Sequence, residues 1–573
     1  MTYIGHILLL INPNKELPIY STLVSQLYLS STGRLCSSLP PHIFSSAERA
    51  YHMMQQERRP QCFILSGESG SGKTEACKHI VRHLTARSSP KGFGLEPRMK
   101  HVNCILEAFG HAKTPRNSNS SRFIKLLTIQ FCENERTILR AHMYTYMLEK
   151  TRLVHLPPQQ HNFRIFYLMA EGLSPEDKSA LYLNNILAHR YLTRRTAGEG
   201  PPVAPASAQS REDLAAVKQA LRALGFNKQE VDSVFTLLSA VLHIGDLRFT
   251  ALTEANSAFP SDLQLLERVA GLLQVSANDL STALTSDVQY IKGDVITRRH
   301  TVEVAEQYRD QLAKSIYGRL FYYLVNSINE YLHGQDDSAG DPAMEIGILD
   351  VFGFEEFQRN AFEQLCVNMT NQRLRLYVSE VLFQQEQAEC LQEGITMEIP
   401  LSSNSHVAVL DFFLQRPQGL LYVLDEESQS LRPAEQTLYK RLSAQLDSSS
   451  ICGLSLTMKD GNGNPPPNDQ GPAFTVSHYA GQISYDLTGS LTKNKDSFPQ
   501  NLLLTVKTSE SVLLQQLFQS KLTQTGSLVP AALGRIALRG TKASLLLQRM
   551  PSVSPVNATS IPQQPRRYRD LTK

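Results

Sequence analysis

Two long segments of the chain carry apolar residues at helical spacing. The apolar side chains return every three or four positions: Leu312, Ile316, Leu320 and Leu324 in Glu303–Leu332, and Leu374, Val378, Val381 and Leu382 in Phe362–Glu393. A stripe at this spacing is typical of a helix that packs one face against a protein core. We therefore predict two long, core-facing helices in these segments.

A short apolar run, Cys62–Leu65, has the length and boundaries of a buried parallel strand, and Glu75–Leu84 can continue as a helix. Residues 67–74 lie between them and match the pattern G-x-x-x-x-G-K-[ST] at every fixed position. In such a loop, glycines let backbone N–H groups approach phosphate oxygens, and the helix N-terminus adds positive potential. The alternative is a chance glycine-rich turn, but the flanking strand and helix favour nucleotide binding. The predicted phosphate-binding residues are Gly67, Glu68, Ser69, Gly70, Ser71, Gly72, Lys73, Thr74 and Glu75.

Two further polar clusters border apolar, strand-like runs. The first, Asn117–Phe123, precedes the run Phe123–Phe131 and by itself could be an ordinary turn. In the second, an apolar run ends at Asp350, and Gly353 and Glu355 follow. In a phosphate-loop enzyme, an aspartate at the end of a strand suits Mg²⁺ binding. The N–H group of Gly353 could face a γ-phosphate, because no side chain blocks the approach.

Composition narrows the class of protein. The chain has 573 residues, which suggests two to four subdomains. We expect no signal peptide, because the short apolar stretch in Met1–Leu10 has neither a basic n-region nor a small-residue cleavage site. We also expect no membrane span, because no apolar run has the required length. The eight cysteines include no C-x-x-C pair, which argues for reduced thiols and against structural zinc.

Charge and loop-forming residues indicate surface segments. Residues 519–573 hold nine Lys or Arg and one acidic residue, so this tail carries +8 and the remainder −5. A basic tail on a slightly acidic body suggests an acidic partner surface, although a solvated extension is the simpler alternative. Gly, Pro and Ser content predicts surface insertions at Thr196–Asp213, His333–Pro342 and Lys459–Pro472.

The three polar motifs together resemble the phosphate loop, switch I and switch II of the myosin motor. Other stretches are similar to that family and follow its order, from residue 3 to about residue 518: Asn12–Tyr20, Ile105–Gly110, Leu148–Arg152, Val241–Gly245, Phe362–Asn368 and His478–Gly481. The chain resembles an unconventional myosin, and class XV is the suggested class. The resemblance implies an α/β fold, namely a P-loop NTPase core with a mixed, mostly parallel central sheet and large helical insertions.

The same resemblance implies three regions. Residues 1–345 would form the nucleotide-binding core with an upper helical region. Residues 346–518 would hold switch II, the relay helix and the lower actin-binding region, including a helix–loop–helix at His406–Leu431 around Pro417–Gly419. Residues 519–573 would be a disordered basic tail at the place of a flexible actin-binding loop.

The resemblance also implies the substrate, the metal and the role of each site residue. ATP would bind together with Mg²⁺. The expected metal residues are Thr74, Ser121 and Asp350. Lys73 and Asn117 would hold phosphate oxygens, Ser120 would help to place the attacking water, and Gly353 would face the γ-phosphate. Arg122 and Glu355 would join switch I to switch II when the site closes. The adenine would lie against Asn12, Pro13 and Tyr20.

Actin filaments are the implied partner, which places the protein in the cytoplasm on the actin cytoskeleton. We expect no nucleic-acid partner. The sequence begins after the position of the family's N-terminal subdomain and ends before the converter and the lever helix. We therefore expect an incomplete motor that binds neither light chains nor calmodulin, with uncovered edges on its central sheet.

Two residues depart from the family pattern. Ile124 stands where the family has glycine, and Glu16 replaces a basic residue of the adenine loop. A β-branched side chain at residue 124 disfavours positive φ and would add bulk beside the pocket, so that switch I would close poorly. Three hypotheses follow: an actin-activated Mg-ATPase, a catalytically impaired tether that binds nucleotide and actin, and a small switch GTPase. The third fits poorly, because the chain has no N-K-x-D motif and is too long.

Overall fold

The computed structural model describes residues 1–5, 7–30, 39–88, 94–133, 137–157, 159–192, 208–252, 257–291, 294–333, 341, 343–396, 404–430, 433–448, 454–457, 473–523 and 527–529. None of the helices in these ranges combines the length and the apolar character that crossing a membrane requires.

Helices and short strands alternate along the described chain. The helices are α1 (Thr22–Ser30), α2 (Ile43–Glu57), α3 (Lys73–Ser88), α4 (Leu95–Gly110), α5 (Arg164–Gly172), α6 (Pro175–Ala180), α7 (Ala208–Ala223), α8 (Lys228–Asp246), α9 (Leu263–Leu273), α10 (Ala277–Thr285), α11 (Val302–Leu332), α12 (Phe362–Gln392), α13 (Asn404–Leu414), α14 (Leu420–Ser428), α15 (Glu435–Ser448), α16 (Ser490–Asn494), α17 (Gln500–Lys507) and α18 (Val512–Gln519). The strands are β1 (Thr2–Ile4), β2 (Ile7–Leu9), β3 (Gln61–Leu65), β4 (His111–Ala112), β5 (Ser120–Ser121), β6 (Ile124–Phe131), β7 (Ile138–Tyr146), β8 (Phe249–Leu252), β9 (Ser257–Pro260), β10 (Ser286–Ile291), β11 (Asp294–Arg299), β12 (Glu345–Asp350), β13 (Leu454–Thr457), β14 (Ala473–His478) and β15 (Gly481–Asp486).

A four-stranded sheet in the order β3-β12-β6-β7 positions the candidate site. Strand β12 runs parallel to β3 and antiparallel to β6, and β6 pairs with β7 as an antiparallel neighbour. The prediction of a mixed sheet is confirmed. The prediction of a mostly parallel sheet is wrong for the described strands, because a short connection returns β7 directly alongside β6.

Strand β3 is half-buried, whereas the sequence predicted a buried strand. Within the described residues β3 pairs with β12 alone, so its other edge has no strand partner. Its parallel pairing, Gly347 with Cys62 and Asp350 with Leu65, agrees with the prediction.

The two predicted long helices are present but differ in burial. In α11 all four residues of the predicted stripe are buried in the main hydrophobic core. In α12, Leu365 and Met369 are buried near the start of the helix, whereas Leu374, Val378, Val381 and Leu382 are only half-buried. The prediction of a core-facing helix is therefore wrong for the later part of α12, which continues beyond the cluster that its first turns contact.

A second hydrophobic cluster lies around the start of α12. It joins Phe354 and Leu365 to α13, α14, β14 and β15 through Phe413, Leu420 and Tyr485. The predicted helix–loop–helix is present here as α13 and α14.

The surface predictions fall largely outside the described residues. The prediction of an insertion is wrong for residues 208–213, which begin α7. Leu214, Val217 and Leu221 of this helix are buried and hold it against the core. Residues 193–207, 334–340 and 458–472 and nearly all of the basic tail lie outside the described ranges.

Candidate nucleotide site

The glycine-rich loop connects β3 to α3, as the sequence predicts. Gly67, Gly70 and Gly72 have φ values of 151°, 85° and 95°, a region of backbone conformation that favours glycine. The Lys73 ammonium donates hydrogen bonds to the carbonyl oxygens of Gly67 at 2.9 Å and Glu68 at 2.7 Å. The loop therefore curls around the ammonium group at the start of α3.

Oxygen donors meet at the end of β12. The Thr74 hydroxyl donates to Asp350 Oδ2 at 2.8 Å, and Lys125 Nζ lies 3.4 Å from the same carboxylate oxygen. A hydroxyl and a carboxylate are hard oxygen ligands, the kind that Mg²⁺ prefers. The structure brings Thr74 and Asp350 together, but the Ser121 hydroxyl donates to the Phe123 carbonyl at 2.8 Å. The predicted donor set thus fits Mg²⁺ at two of its three positions.

Lys125 is a site residue that the sequence reasoning missed. It lies on β6, is buried, and carries a positive charge toward Asp350. Burial lowers the pKa of Lys125, but its interactions with Cys77 and Asp350 outweigh burial and raise it overall. A lysine within an apolar strand was the available signal, since an ammonium in such a position needs a buried partner.

Three predicted residues contact the phosphate loop from outside it. Asn12 Nδ2 donates to the Gly70 carbonyl at 3.2 Å. Asn117 lies beside the same glycine, its Cβ 3.9 Å from where a Cβ on Gly70 would be. The Ser120 and Ser69 hydroxyl oxygens are 3.4 Å apart. The structure therefore brings the first polar cluster, residues 117–123, against the loop.

Gly353 contacts the phosphate loop directly. A Cβ at this position would lie 2.1 Å from the Ser69 nitrogen and 2.4 Å from the Glu68 carbonyl carbon, so no side chain can be accommodated. The sequence reasoning attributed the glycine to the approach of a γ-phosphate. The structure gives a second reason, the contact between this segment and the backbone of the loop.

Arg122 and Glu355 form a buried ion pair, as predicted. Arg122 Nη1 donates to Glu355 Oε1 at 2.6 Å and Nη2 donates to Oε2 at 3.2 Å, a bidentate arrangement. The two side chains are 1% and 2% exposed. Arg122 Nη1 also donates to the Ser120 hydroxyl at 3.2 Å. The first polar cluster and the segment after β12 are thus joined across 233 residues of sequence.

Glu149 is a second carboxylate partner of Arg122, and the sequence reasoning assigned it no role. Arg122 Nε donates to Glu149 Oε2 at 2.5 Å, and Arg152 Nε donates to the same oxygen at 3.0 Å. Burial by itself would raise the pKa of Glu149, but Arg122 and Arg152 outweigh burial and lower it to about 2. Two guanidinium groups and two carboxylates therefore form one buried network.

The segment around Glu355 is also held by α12. Asn368 Oδ1 accepts from the Glu355 N–H at 2.8 Å, and Asn368 Nδ2 donates to the Glu355 carbonyl at 2.7 Å. Asn368 Nδ2 also donates to the Tyr485 hydroxyl at 2.9 Å, and that hydroxyl lies 2.6 Å from His478 Nε2. Hydrogen bonds thus connect the ion pair to the second hydrophobic cluster.

The side chains of the remaining predicted residues do not contact the phosphate loop. The Tyr20 ring stacks on His79 of α3 at 3.8 Å between ring centroids. Pro13 and Glu16 are exposed. Glu75 is exposed and pairs with Lys78 at 2.8 Å. Within the described part of the chain, none of these four side chains has a hydrogen bond, an ion pair or a ring contact with residues 67–74.

Ile124 packs into an apolar cluster next to the candidate site. It is the first residue of β6, it is absent from the residues with positive φ, and it is 6% exposed. Its side chain belongs to an apolar cluster with Leu126, Leu349 and Val367. Arg122 and Glu355 are paired with Ile124 in this position, and the effect of its bulk on hydrolysis stays a prediction.

Comparison with known proteins identifies the family. The model of the myosin head (motor domain) matches residues 1–543. Myosin-IIIb of Mus musculus is 38% identical over 534 residues, which cover 92% of this chain and 39% of that protein. Myosin-1 of Arabidopsis thaliana is 36% identical over 522 residues (91% and 42%), and unconventional myosin heavy chain 6 of Caenorhabditis elegans is 35% identical over 519 residues (90% and 24%). The chain therefore spans between a quarter and about two fifths of the length of these relatives. Because the family model covers residues 1–543 of the 573 residues, the chain belongs to the myosin head (motor domain) family.

Proposed function

We propose that this chain is the P-loop ATPase core of an actin-based motor, which hydrolyses MgATP and couples its nucleotide state to its affinity for actin filaments. The observation that carries the proposal is the buried Arg122–Glu355 pair, which joins two segments that both contact the phosphate loop. A site that closes in this way excludes water and holds reacting groups in fixed positions.

Substrate binding follows from the loop and its neighbours. Lys73 and the backbone of residues 67–74 would hold the phosphates, Asn117 would add a polar contact, and Tyr20 with Asn12 and Pro13 would face the adenine. Thr74 and Asp350 would hold Mg²⁺, joined by Ser121 if its hydroxyl turned away from Phe123. When bound, Mg²⁺ neutralises charge on the phosphate oxygens.

Hydrolysis needs a water molecule in line with the γ-phosphate and little covalent chemistry from the protein. Ser120 is suited to placing that water, because its hydroxyl lies between Ser69 of the loop and the Arg122 guanidinium. The Arg122–Glu355 pair would form when the site closes. Residues 120–122 and 353–355 would then move against the loop together.

Coupling to actin would pass through α12. Asn368 holds both backbone polar groups of Glu355, and α12 contacts the second hydrophobic cluster that contains α13 and α14. We assign the actin-binding face to the region of α13 and α14, residues 346–518 as a whole to the lower part of the motor, and residues 1–345 to the nucleotide-binding part. The basic segment 519–573 would add contacts to the acidic filament, at the actin cytoskeleton.

The test is phosphate release from MgATP, measured with and without actin filaments on the 573-residue chain. We expect turnover that filaments accelerate, and loss of nucleotide affinity in Lys73→Ala. Lys78→Ala is the matched control, because Lys78 lies on the same helix and its ammonium pairs with Glu75 and Glu107 rather than with the loop. Absence of adenine-nucleotide binding by folded protein in Mg²⁺ buffer would contradict the proposal.

The alternative is a non-catalytic tether that binds nucleotide and actin without turnover. Ile124 was one part of its sequence support, and the side chain of this residue packs in an apolar cluster. Filament binding without phosphate release would favour this alternative. None of the three relatives named above carries a class XV name, so that assignment stays a prediction.

A further inference from the structure

A cluster of metal-ligating side chains lies outside the nucleotide site. His243 and Asp246 lie on the last turn of α8, three residues apart and hence on one face, and His189 approaches from the segment that precedes α7. One potential ligand atom from each of the three side chains lies within 4.8 Å of the other two. None of these residues takes part in the proposed ATPase mechanism.

Among the residues that the structure describes, neither ring nitrogen of His243 has a partner at normal hydrogen-bonding geometry. His243 is 2% exposed, and the Leu181 backbone interacts with the ring only weakly. In its neutral form an imidazole has one ring nitrogen with a free lone pair, which can bind a metal ion. A buried polar side chain without a partner is unfavourable, which calls for a ligand at this position.

Asp246 is held in place beside the two histidines. Its Oδ1 accepts from the Arg190 N–H at 2.8 Å, and its Oδ2 lies 2.5 Å from His189 Nδ1. The rings of His189 and His243 meet edge to face, with centroids 4.8 Å apart. The three donors thus occupy one small volume.

The cluster opens into a cavity of about 350 Å³. Asp246 and Asp262 bring two carboxylates to its lining, and Arg268 brings one guanidinium, which lies over the Tyr182 ring at 5.0 Å. The titratable side chains that line the cavity therefore sum to about −1 when the histidines are neutral, which favours a cation.

We propose that His189, His243 and Asp246 bind a divalent transition-metal ion of the zinc type, with its fourth coordination position open to the cavity. Two imidazoles and one carboxylate are a donor set that Zn²⁺ accepts, whereas Mg²⁺ and Ca²⁺ prefer oxygen ligands alone. Metal–ligand bonds of ~2.0–2.1 Å in a tetrahedral site place ligand atoms roughly 3.3 Å apart. The His189–Asp246 contact would widen accordingly, and a neutral His189 would keep its proton on the ring nitrogen that does not bind the metal. The bound ion would link His189 to the end of α8.

The test uses the 573-residue chain, freed of metal with a chelator and titrated with Zn²⁺ or Co²⁺ in excess Mg²⁺. The Mg²⁺ occupies sites that prefer oxygen ligands. We expect binding of a single equivalent, visible absorption of the Co²⁺ form typical of tetrahedral nitrogen and oxygen ligation, and a rise in the melting temperature.

Variants locate the ion. We expect His243→Ala and Asp246→Asn each to weaken the affinity by at least about tenfold, comparable to the loss of a ligand or of its support. His101→Ala is the control, because His101 bonds to the Tyr331 hydroxyl and does not line the cavity. If His243→Ala does not fold, His189→Gln and Asp246→Asn provide the same readout. Failure of the parent chain to bind Zn²⁺ or Co²⁺, or binding by folded variants as tight as in the parent, would overturn the proposal.

Discussion

Arg122 forms hydrogen bonds with the carboxylates of both Glu149 and Glu355. The effect of a mutation therefore depends on which of the three side chains is removed. Removing Arg122 leaves Glu355 with neutral donors from Gln364, whereas Glu149 keeps Arg152. Removing Glu355 leaves Arg122 paired with Glu149. The loss of one partner of a buried ion pair costs about 3–5 kcal/mol when the remaining charge is uncompensated. Glu355 variants therefore test closure with less damage to the fold than Arg122 variants.

We predict that Glu355→Ala and Arg122→Ala bind ATP but do not turn it over. The phosphate loop is intact in both variants, whereas the link between residues 120–122 and 353–355 is lost. Nucleotide affinity and single-turnover phosphate release are the measurements. We expect Arg122→Ala to be the less stable of the two in urea.

Glu356→Ala is the matched control for this pair of variants. Glu356 adjoins Glu355 in sequence but is exposed. We expect wild-type turnover from it. Normal turnover in Glu355→Ala would show that the ion pair is dispensable for hydrolysis.

Ile124 is a second residue whose replacement we expect to have a measurable effect. The side chain of Ile124 is buried in the cluster with Leu126 and Leu349. Ile124→Gly should therefore destabilise the protein rather than accelerate ATP turnover. We expect the free energy of unfolding to fall by ~2–5 kcal/mol, the range for truncating a buried Ile or Leu side chain.

Urea unfolding and phosphate release distinguish the two views of Ile124. Ile124→Val is the conservative control, expected to cost about 0.5–1.5 kcal/mol. Faster turnover in Ile124→Gly at unchanged stability would restore the view that bulk at this position limits closure.

Helix α12 connects the candidate site to the second hydrophobic cluster. Its early turns are buried, and Asn368 on these turns binds the backbone of Glu355 on one side and the Tyr485 hydroxyl on the other. A helix is a stiff element, so a displacement of the Glu355 segment would be transmitted along it rather than absorbed. We therefore expect α12 to transmit such a displacement, and this coupling would depend on the buried Asn368 amide.

We predict that Asn368→Ala lowers the acceleration of ATP turnover by actin filaments more than it lowers basal turnover. The variant leaves the buried N–H and C=O of Glu355 without these partners, at a cost of about 1–3 kcal/mol per group. The ratio of phosphate release with and without filaments is the measurement.

Tyr485→Phe serves as the comparison for Asn368→Ala. It removes the hydroxyl that joins α12 to β15 and keeps the bonds between Asn368 and Glu355. We expect a loss of about 1 kcal/mol in stability and a nearly unchanged acceleration by actin. Equal loss of acceleration in both variants would place the coupling at Tyr485 instead of at Glu355.

A buried charge network of Arg122, Glu149, Arg152 and Glu355 joins distant parts of the chain. Glu149 is ionised in the folded protein down to low pH, because Arg122 and Arg152 lower its pKa from 4.5 to about 2. A carboxylate with a lowered folded-state pKa stabilises the fold at pH values above its unfolded-state pKa. That stabilisation is lost as the pH falls from about 4.5 toward 2.

We predict that Glu149→Gln is less stable than the wild type at neutral pH and that the difference shrinks as the pH falls below about 4.5. The shift in pKa corresponds to ~3 kcal/mol at neutral pH. Urea unfolding of both proteins across this pH range is the measurement. A difference that stays constant with pH would show that Glu149 acts through packing rather than through charge.

The local elements and the types of side chain at the site can be predicted from the sequence alone. Strand, glycine loop and helix over residues 61–88, the long helix α11 and the polar residues after β12 follow from patterns within a short stretch of chain. Hydrophobic periodicity and turn chemistry are local properties, so they can be read without the fold. The Arg122–Glu355 pair was accessible only through resemblance to a family, because its partners are far apart in sequence.

Which side chains contact one another depends on the tertiary structure. It set the antiparallel pairing of β12 with β6, the second carboxylate at Arg122, the burial of Lys125 beside Asp350, the turn of the Ser121 hydroxyl toward Phe123 and the packing of Ile124 into an apolar cluster. Each of these depends on the direction in which a side chain points once distant strands are paired. Spacing along the chain does not specify that direction, because the energy comes from contacts between segments that only the folded chain brings together.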